Sequence, residues 1–247
     1  PVTAGPDANS MAPLSGGDAL PAGTWIETKL GGRVALGLAD GSRVRIGERS
    51  RLLIGAVHLN EDLKRVVELE VAAGDIETHA APGGAGSSFE VRTRTGVAGV
   101  RGTEFRVLWG DEGMELETLG GLVALGPEGK DTVDVPRGMR SSISLDGVLA
   151  KPTLMLVEPA IVAPLKGEFD RGGVLSWKKV AGANNYVVEI ARDADFTLAA
   201  RSIQAWRANL PLPEDLPTGR WFWRVIAQDR QGHAGMPSRI YAFTVPG

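Results

Sequence analysis

Cysteine is missing from all 247 residues. Its absence removes disulfide frameworks, thiolate metal sites and cysteine nucleophiles together. An oxidising compartment suits such a chain, although cytosolic proteins also lack cysteine. No apolar run approaches the roughly 20 residues that span a bilayer as a helix, so no membrane span is expected. Neither charge dominates: 27 Lys and Arg stand against 30 Asp and Glu, a formal net charge of −3. Nucleic-acid binders usually carry a marked basic excess, so that class of partner is not expected. No basic amphipathic helix suggests attachment to a membrane surface. The start at Pro1 rather than Met is read as processed or trimmed, which leaves any signal peptide or anchor illegible.

Helical periodicity is absent as well, and period-two alternation stands in its place. Glycine is abundant (33) and proline frequent (15) at short intervals, as in many short strands joined by tight turns. Residues 1–16 are rich in Pro, Gly, Ala and Ser and read as a flexible lead-in. From Arg33 to Leu38 apolar residues fall at every second position. Asp40-Gly41 is then a tight-turn pair, and Val44 and Ile46 alternate with Arg43 and Arg45, which predicts a β-hairpin. The pattern continues through Leu52–Val57 and through Val67, Leu69 and Val71. Gly74-Asp75 reads as a turn before a short strand at 76–78, and residues 82–88 as a mobile Gly-rich loop. Further strands are marked by Phe89 and Val91, Phe105 and Val107, Met114 and Leu116, Val123 and Leu125, and Val133 and Val135.

Composition shifts again at residues 151–164, whose prolines predict an extended interdomain linker. Beyond it lie about seven short strands, among them those holding Trp177, Tyr186–Ile190, Trp221–Ala227 and Tyr241–Val245. That spacing predicts a β-sandwich. The expected organisation is a lead-in at 1–16, a first domain at 17–150, a linker at 151–164 and a second domain at 165–247. The fold class is all-β throughout.

Three stretches of the first domain carry a family likeness: the Asp40-Gly41-Ser42 turn, the block FEVRTRTGVAGVRGTEFRV from Phe89 to Val107, and the late segment VDVPRGMRSSI. Together they resemble the FecR family over about Gly17 to Ile143, with VRGTEF (Val100–Phe105) the most specific part. The resemblance implies an extracytoplasmic all-β module, a β-roll or sandwich, in the periplasm or outer envelope of a Gram-negative bacterium. It also implies a non-catalytic role in signalling, sensing or scaffolding. The partner would be another envelope protein of sensor, transporter or anti-sigma type. The second domain resembles fibronectin type III or related immunoglobulin-like modules through LSWKKVAGANNYVVEI, LPTGRWFWRVIAQDRQG and the closing YAFTV.

Candidate site residues divide between the two domains. In VRGTEF, Arg101 and Glu104 are candidates for a recognition surface. A structural role competes, in which Gly102, next to Thr103, supplies an unusual backbone angle, Phe105 enters the core, and the charged pair Arg101 and Glu104 fixes a turn. Trp221 and Trp223 share one face of a strand, with Phe222 on the other. Buried, they are core supported by arginine stacking; exposed, they make a platform for peptidoglycan or polysaccharide, the alternative ligand. Trp206 and Trp25 read as packing residues, and Trp109 as a residue near a turn. The three histidines, His58, His79 and His233, lack ligand spacing for a metal. No nucleophile elbow or phosphate-cradling loop is present. No cofactor, metal or catalytic residue is therefore expected, and the chain is read as non-enzymatic.

Overall fold

The structure is a computed structural model, and it describes residues 1–59, 64–100, 102–170 and 172–247. Two compact units divide the chain, Pro1–Leu154 and Met155–Gly247. Among the described residues there is no helix, and none therefore long and apolar enough to cross a membrane. The molecule is all-β, as its period-two runs predict.

The first unit opens with β1 (Val2–Gly5), β2 (Ala12–Pro13), β3 (Trp25–Thr28) and the hairpin β4 (Val34–Gly37) and β5 (Arg43–Ile46). There follow β6 (Arg51–Leu59), β7 (Arg65–His79), β8 (Ser88–Arg92) and β9 (Val97–Val100). Next come β10 (Glu104–Gly110), β11 (Gly113–Gly120) and β12 (Leu122–Gly126). The last are β13 (Val133–Pro136), β14 (Met139–Ile143) and β15 (Thr153–Leu154). These form one continuous fifteen-stranded sheet folded into two layers that share β7. The first half of β7 pairs with β6 and, in parallel, with β8; its second half pairs with β10 and β5. Val67, Leu69 and Phe89 from one layer meet Val44, Phe105, Val107 and Leu116 from the other in a single core.

Gly74-Asp75, expected to be a turn, lies inside β7. The strand runs through and changes layers there, with Gly74 at φ +78°. A Cβ on Gly74 would stand 2.2 Å from Ser50 Oγ, which accounts for a residue without a side chain at the crossing. Residues 1–16 are likewise more than a lead-in: β1 pairs with β3 through all four of its residues.

The second unit has two sheets. Its strands are β16 (Ile161–Ala163), β17 (Val174–Trp177), β18 (Asn185–Ala191) and β19 (Arg201–Ala205), then β20 (Asn209–Pro211), β21 (Gly219–Gln228), β22 (Ala234–Pro237) and β23 (Tyr241–Val245). One sheet is ordered β16-β17-β20. The other is β19-β18-β21, with β22 and β23 pairing successive parts of β21 as a broken last strand. A three-stranded sheet on a four-position sheet is the fibronectin-type sandwich.

Residues 151–164 do not form a free linker. Thr153–Leu154 pairs with β14, Leu156 and Ile161 pack against the second core, and β16 is the opening strand of the second sandwich. The prolines of this stretch, Pro152, Pro159 and Pro164, lie outside β15 and β16 and so remove no ladder bond.

Candidate functional site

The two most specific sequence motifs meet around residues 80–82. At the hairpin turn, Asp40 accepts hydrogen bonds from the Ser42 backbone N–H (2.9 Å) and hydroxyl (2.6 Å). It also pairs with Arg65 at 2.8 Å, where both side chains are about nine-tenths buried. Arg65 donates a second bond to the Ala81 carbonyl and lies over the Phe89 ring at 5.6 Å. Ser42 Oγ in turn accepts from the Ala81 N–H at 2.9 Å. From the other side, the Ala80 N–H donates to the Thr103 carbonyl at 2.9 Å. Gly102 packs so closely that a Cβ would lie 2.9 Å from Pro82 Cα. Aspartate and serine therefore serve here as a capped turn gripping the 80–82 segment, and VRGTEF closes on that segment from behind. The Gly-rich loop expected to be mobile is anchored at its start by these bonds.

Within VRGTEF, Gly102 has φ +74°, a region that L side chains avoid. Thr103 is buried, and Phe105 is fully buried with its ring edge-on to Phe89 at a centroid distance of 6.4 Å. Glu104 is half-buried at the start of β10, opposite His79 and Gly120, where a bulge interrupts pairing with β11. Arg101 lies outside the described residues. Gly102, Thr103 and Phe105 are thus placed as builders of a corner.

Beside that corner lies an open groove of about 490 Å³ on the outer face of the first layer. Its floor follows one register row: Glu90 on β8, Gly99 on β9, Ala124 on β12 and Asp134 on β13. Gly102, Thr103 and Gly121 close one end, and Leu122, 48% exposed, stands on the rim. Two small residues between two carboxylates leave backbone accessible in the middle of a sheet.

The outer face of the second layer is occupied by charge. Arg45, Glu77, Arg106, Glu117 and Arg140 share one row across β5, β7, β10, β11 and β14 and alternate in sign. Arg45 and Glu77 lie 2.9 Å apart. Arg106 Nε and Glu117 Oε2 lie 2.7 Å apart, an ion contact without the angle of a linear hydrogen bond. Glu117 is 1% exposed. Burial, opposed by Arg106, pushes its carboxyl up from 4.5 to about 7. The outward positions of these strands are charged in the sequence, but only the register shows that they form one row.

Trp221 and Trp223 are 1% and 0% exposed. The Trp221 indole N–H donates to the Pro217 carbonyl at 2.9 Å, and Arg192 stacks on its ring at 4.1 Å. Trp223 packs between Trp177 and Tyr241. The pair offers no face to a sugar, because the side of β21 it occupies is the core side. Phe222 on the opposite side is covered by Arg220 at 4.9 Å. Trp206, expected to be a packing residue, is instead 69% exposed. It follows the last residue of β19, where no neighbouring strand covers it.

Residues 24–124 match the sequence profile of the family described as FecR protein. The first unit is FecR-like over these residues. No curated protein matches the chain. Among solved structures, a candidate anti-sigma factor from Parabacteroides distasonis is similar at 19% identity with a TM-score of 0.45. The match covers 53% of this chain and 59% of that one, so the chain spans little over half of that protein's length. The FN1–FN3 domains of chicken CNTN1 are similar at 13% identity and TM-score 0.30, over 87% of this chain and 98% of that one. The extracellular domain of a candidate hybrid two-component system from B. thetaiotaomicron is similar at 9% identity and TM-score 0.23, over 90% and 42%. The motifs that knit residues 40–42, 80–82 and 102–105 together all lie within the FecR-matching segment. The fibronectin-type assignment of the second unit rests on its own strand order.

Proposed function

We propose that this chain is a non-catalytic sensing or scaffold module of the bacterial envelope, periplasmic or outer-envelope, that binds another envelope protein through its FecR-type domain. The observation that carries this reading is the groove beside VRGTEF. Sheet faces are normally covered by side chains, yet here Gly99 and Ala124 leave backbone within reach of a partner's strand or loop. The rim supplies one apolar residue, Leu122, and the floor ends in two carboxylates, Asp134 and Glu90, the latter paired with Arg92 at 2.6 Å. This composition suits a protein segment with apolar and basic side chains, since complementary charge fixes register and speeds encounter.

Site-specific photocrosslinking in envelope-producing cells tests the reading. A crosslinker at Leu122 is expected to trap one defined protein, whereas the same crosslinker at Leu145, 55% exposed in the same unit, does not. Ala124→Tyr, which fills the floor, is expected to reduce that crosslink about tenfold while the melting midpoint shifts by less than ~4 °C. Equal trapping from both positions, or an Ala124→Tyr protein that retains the crosslink, overturns the assignment of the groove.

A further inference from the structure

The second sandwich has two unlike ends. At one end lie residues 178–184, 206–208 and 229–233. Three contacts place them together: the Trp177 N–H donates to the Ala208 carbonyl, the Val180 N–H to the Tyr186 hydroxyl, and the Asn184 N–H to the Gln228 carbonyl. These segments carry Lys178, Lys179, Arg207 and Arg230, all exposed, with Trp206 standing out among them. Their one carboxylate, Asp229, is engaged by its own loop, accepting the Gln231 and His233 N–H groups and meeting the His233 ring at 3.1 Å. The opposite end, residues 164–170, 192–200 and 212–218, holds Glu168, Asp170, Asp193, Asp195, Glu214 and Asp215.

We propose that the Trp206 end is a docking surface for an acidic, extended segment of another protein. Charge complementarity argues for the acid. Four cations on three loops outnumber the two carboxylates at this end. These are Asp229, bonded within its own loop, and the exposed Glu158 of the adjoining segment, whose Ala160 carbonyl accepts the Lys178 N–H. The cations make a positive surface on a chain whose net charge is −3. The acidic end of a second copy is a poorer occupant, because key carboxylates there are already used. Asp193 accepts the Thr197 and Leu198 N–H groups and the Thr197 hydroxyl, and Asp215 is paired with Arg201 at 2.6 Å. The indole argues for a segment with an apolar side chain, since an exposed tryptophan is a large amphipathic anchor at the centre of many interfaces. A saccharide is less well served: stacking platforms use aligned aromatic faces, and Trp221 and Trp223 are both inside the core.

The surface belongs to the second unit and does not depend on the groove of the first. The test uses the full chain and a short fluorescein-labelled peptide alternating Glu and Leu, followed by anisotropy. Binding is expected to weaken steeply between ~20 and ~300 mM salt. The Lys178→Glu, Lys179→Glu double variant is expected to lose about tenfold in affinity, and Trp206→Ala about as much. Lys29→Glu, at an exposed lysine of the first unit, and Ala124→Tyr are expected to leave it unchanged. All five positions are at least partly exposed, so folding is checked by an unaltered melt. Absence of binding overturns the proposal, as does equal weakening by Lys29→Glu. Tighter binding of the same residues to polygalacturonate or to anionic phospholipid vesicles also overturns it, by assigning the surface to a saccharide or a membrane.

Discussion

At the residue scale, the family's most specific string is accounted for by backbone geometry. Gly102 combines φ +74° with a contact to Pro82 that leaves no room for a Cβ. Gly102→Val is expected to destabilise the first unit by about 1–3 kcal/mol, because a β-branched residue is strained at positive φ and must also displace the Pro82 backbone. Urea denaturation measures it. A loss below about 0.5 kcal/mol would show that the backbone relaxes at that point. The Asp40–Arg65 pair belongs to the same corner, and sequence alone could not join two residues 25 positions apart. What was legible was the capped turn itself, since aspartate, glycine and serine each have a local reason to be there.

At the element scale, the alternating row of Arg45, Glu77, Arg106, Glu117 and Arg140 has a consequence for pH. Glu117 is the most buried of the five, and its carboxyl is raised from 4.5 to about 7 by loss of solvation. A carboxyl raised on folding holds its proton more tightly in the native state. Its contribution is therefore fully present below about 4.5 and is lost as pH rises through about 7. The whole shift corresponds to at most ~3 kcal/mol. Urea midpoints are expected to fall between pH 5 and 7.5, and Glu117→Gln, which keeps the shape of the neutral carboxyl and cannot ionise, is expected to flatten that slope. A midpoint that rises over this range, or a slope that survives the substitution, would contradict it. Strands were legible because alternation is local. The row was not, because it depends on the pairing order β5-β7-β10-β11-β14 and on β7 passing through Gly74 instead of turning there. The tryptophans divide in the same way. Period two placed Trp221 and Trp223 on one face of β21, and only the second sheet makes that face the core.

At the scale of the whole molecule, each unit has its own core, and the chain passes from one to the other at Leu154–Met155. Fragments 1–154 and 155–247 are each expected to melt cooperatively. The sequence-based boundary, with a linker running to Pro164, makes a different demand on the second fragment. A piece starting at Leu165 loses β16, whose Ile161 packs on the second core and pairs with Trp177. It also loses Leu156, which touches that core and whose carbonyl accepts the Met236 N–H at 2.9 Å. Burial of one aliphatic side chain contributes about 1.5–3 kcal/mol. Both of these are only partly buried, so the two side chains together with the lost edge pairing are expected to cost 165–247 about 2–4 kcal/mol relative to 155–247. Removing β16 also leaves β17 as an exposed edge next to Leu175 and Trp177, which favours aggregation of the shorter piece. Chemical denaturation of the two fragments under one condition decides between the boundaries. Equal midpoints would mean that residues 155–164 are dispensable to the second sandwich and that the linker begins and ends where the proline-rich composition places it.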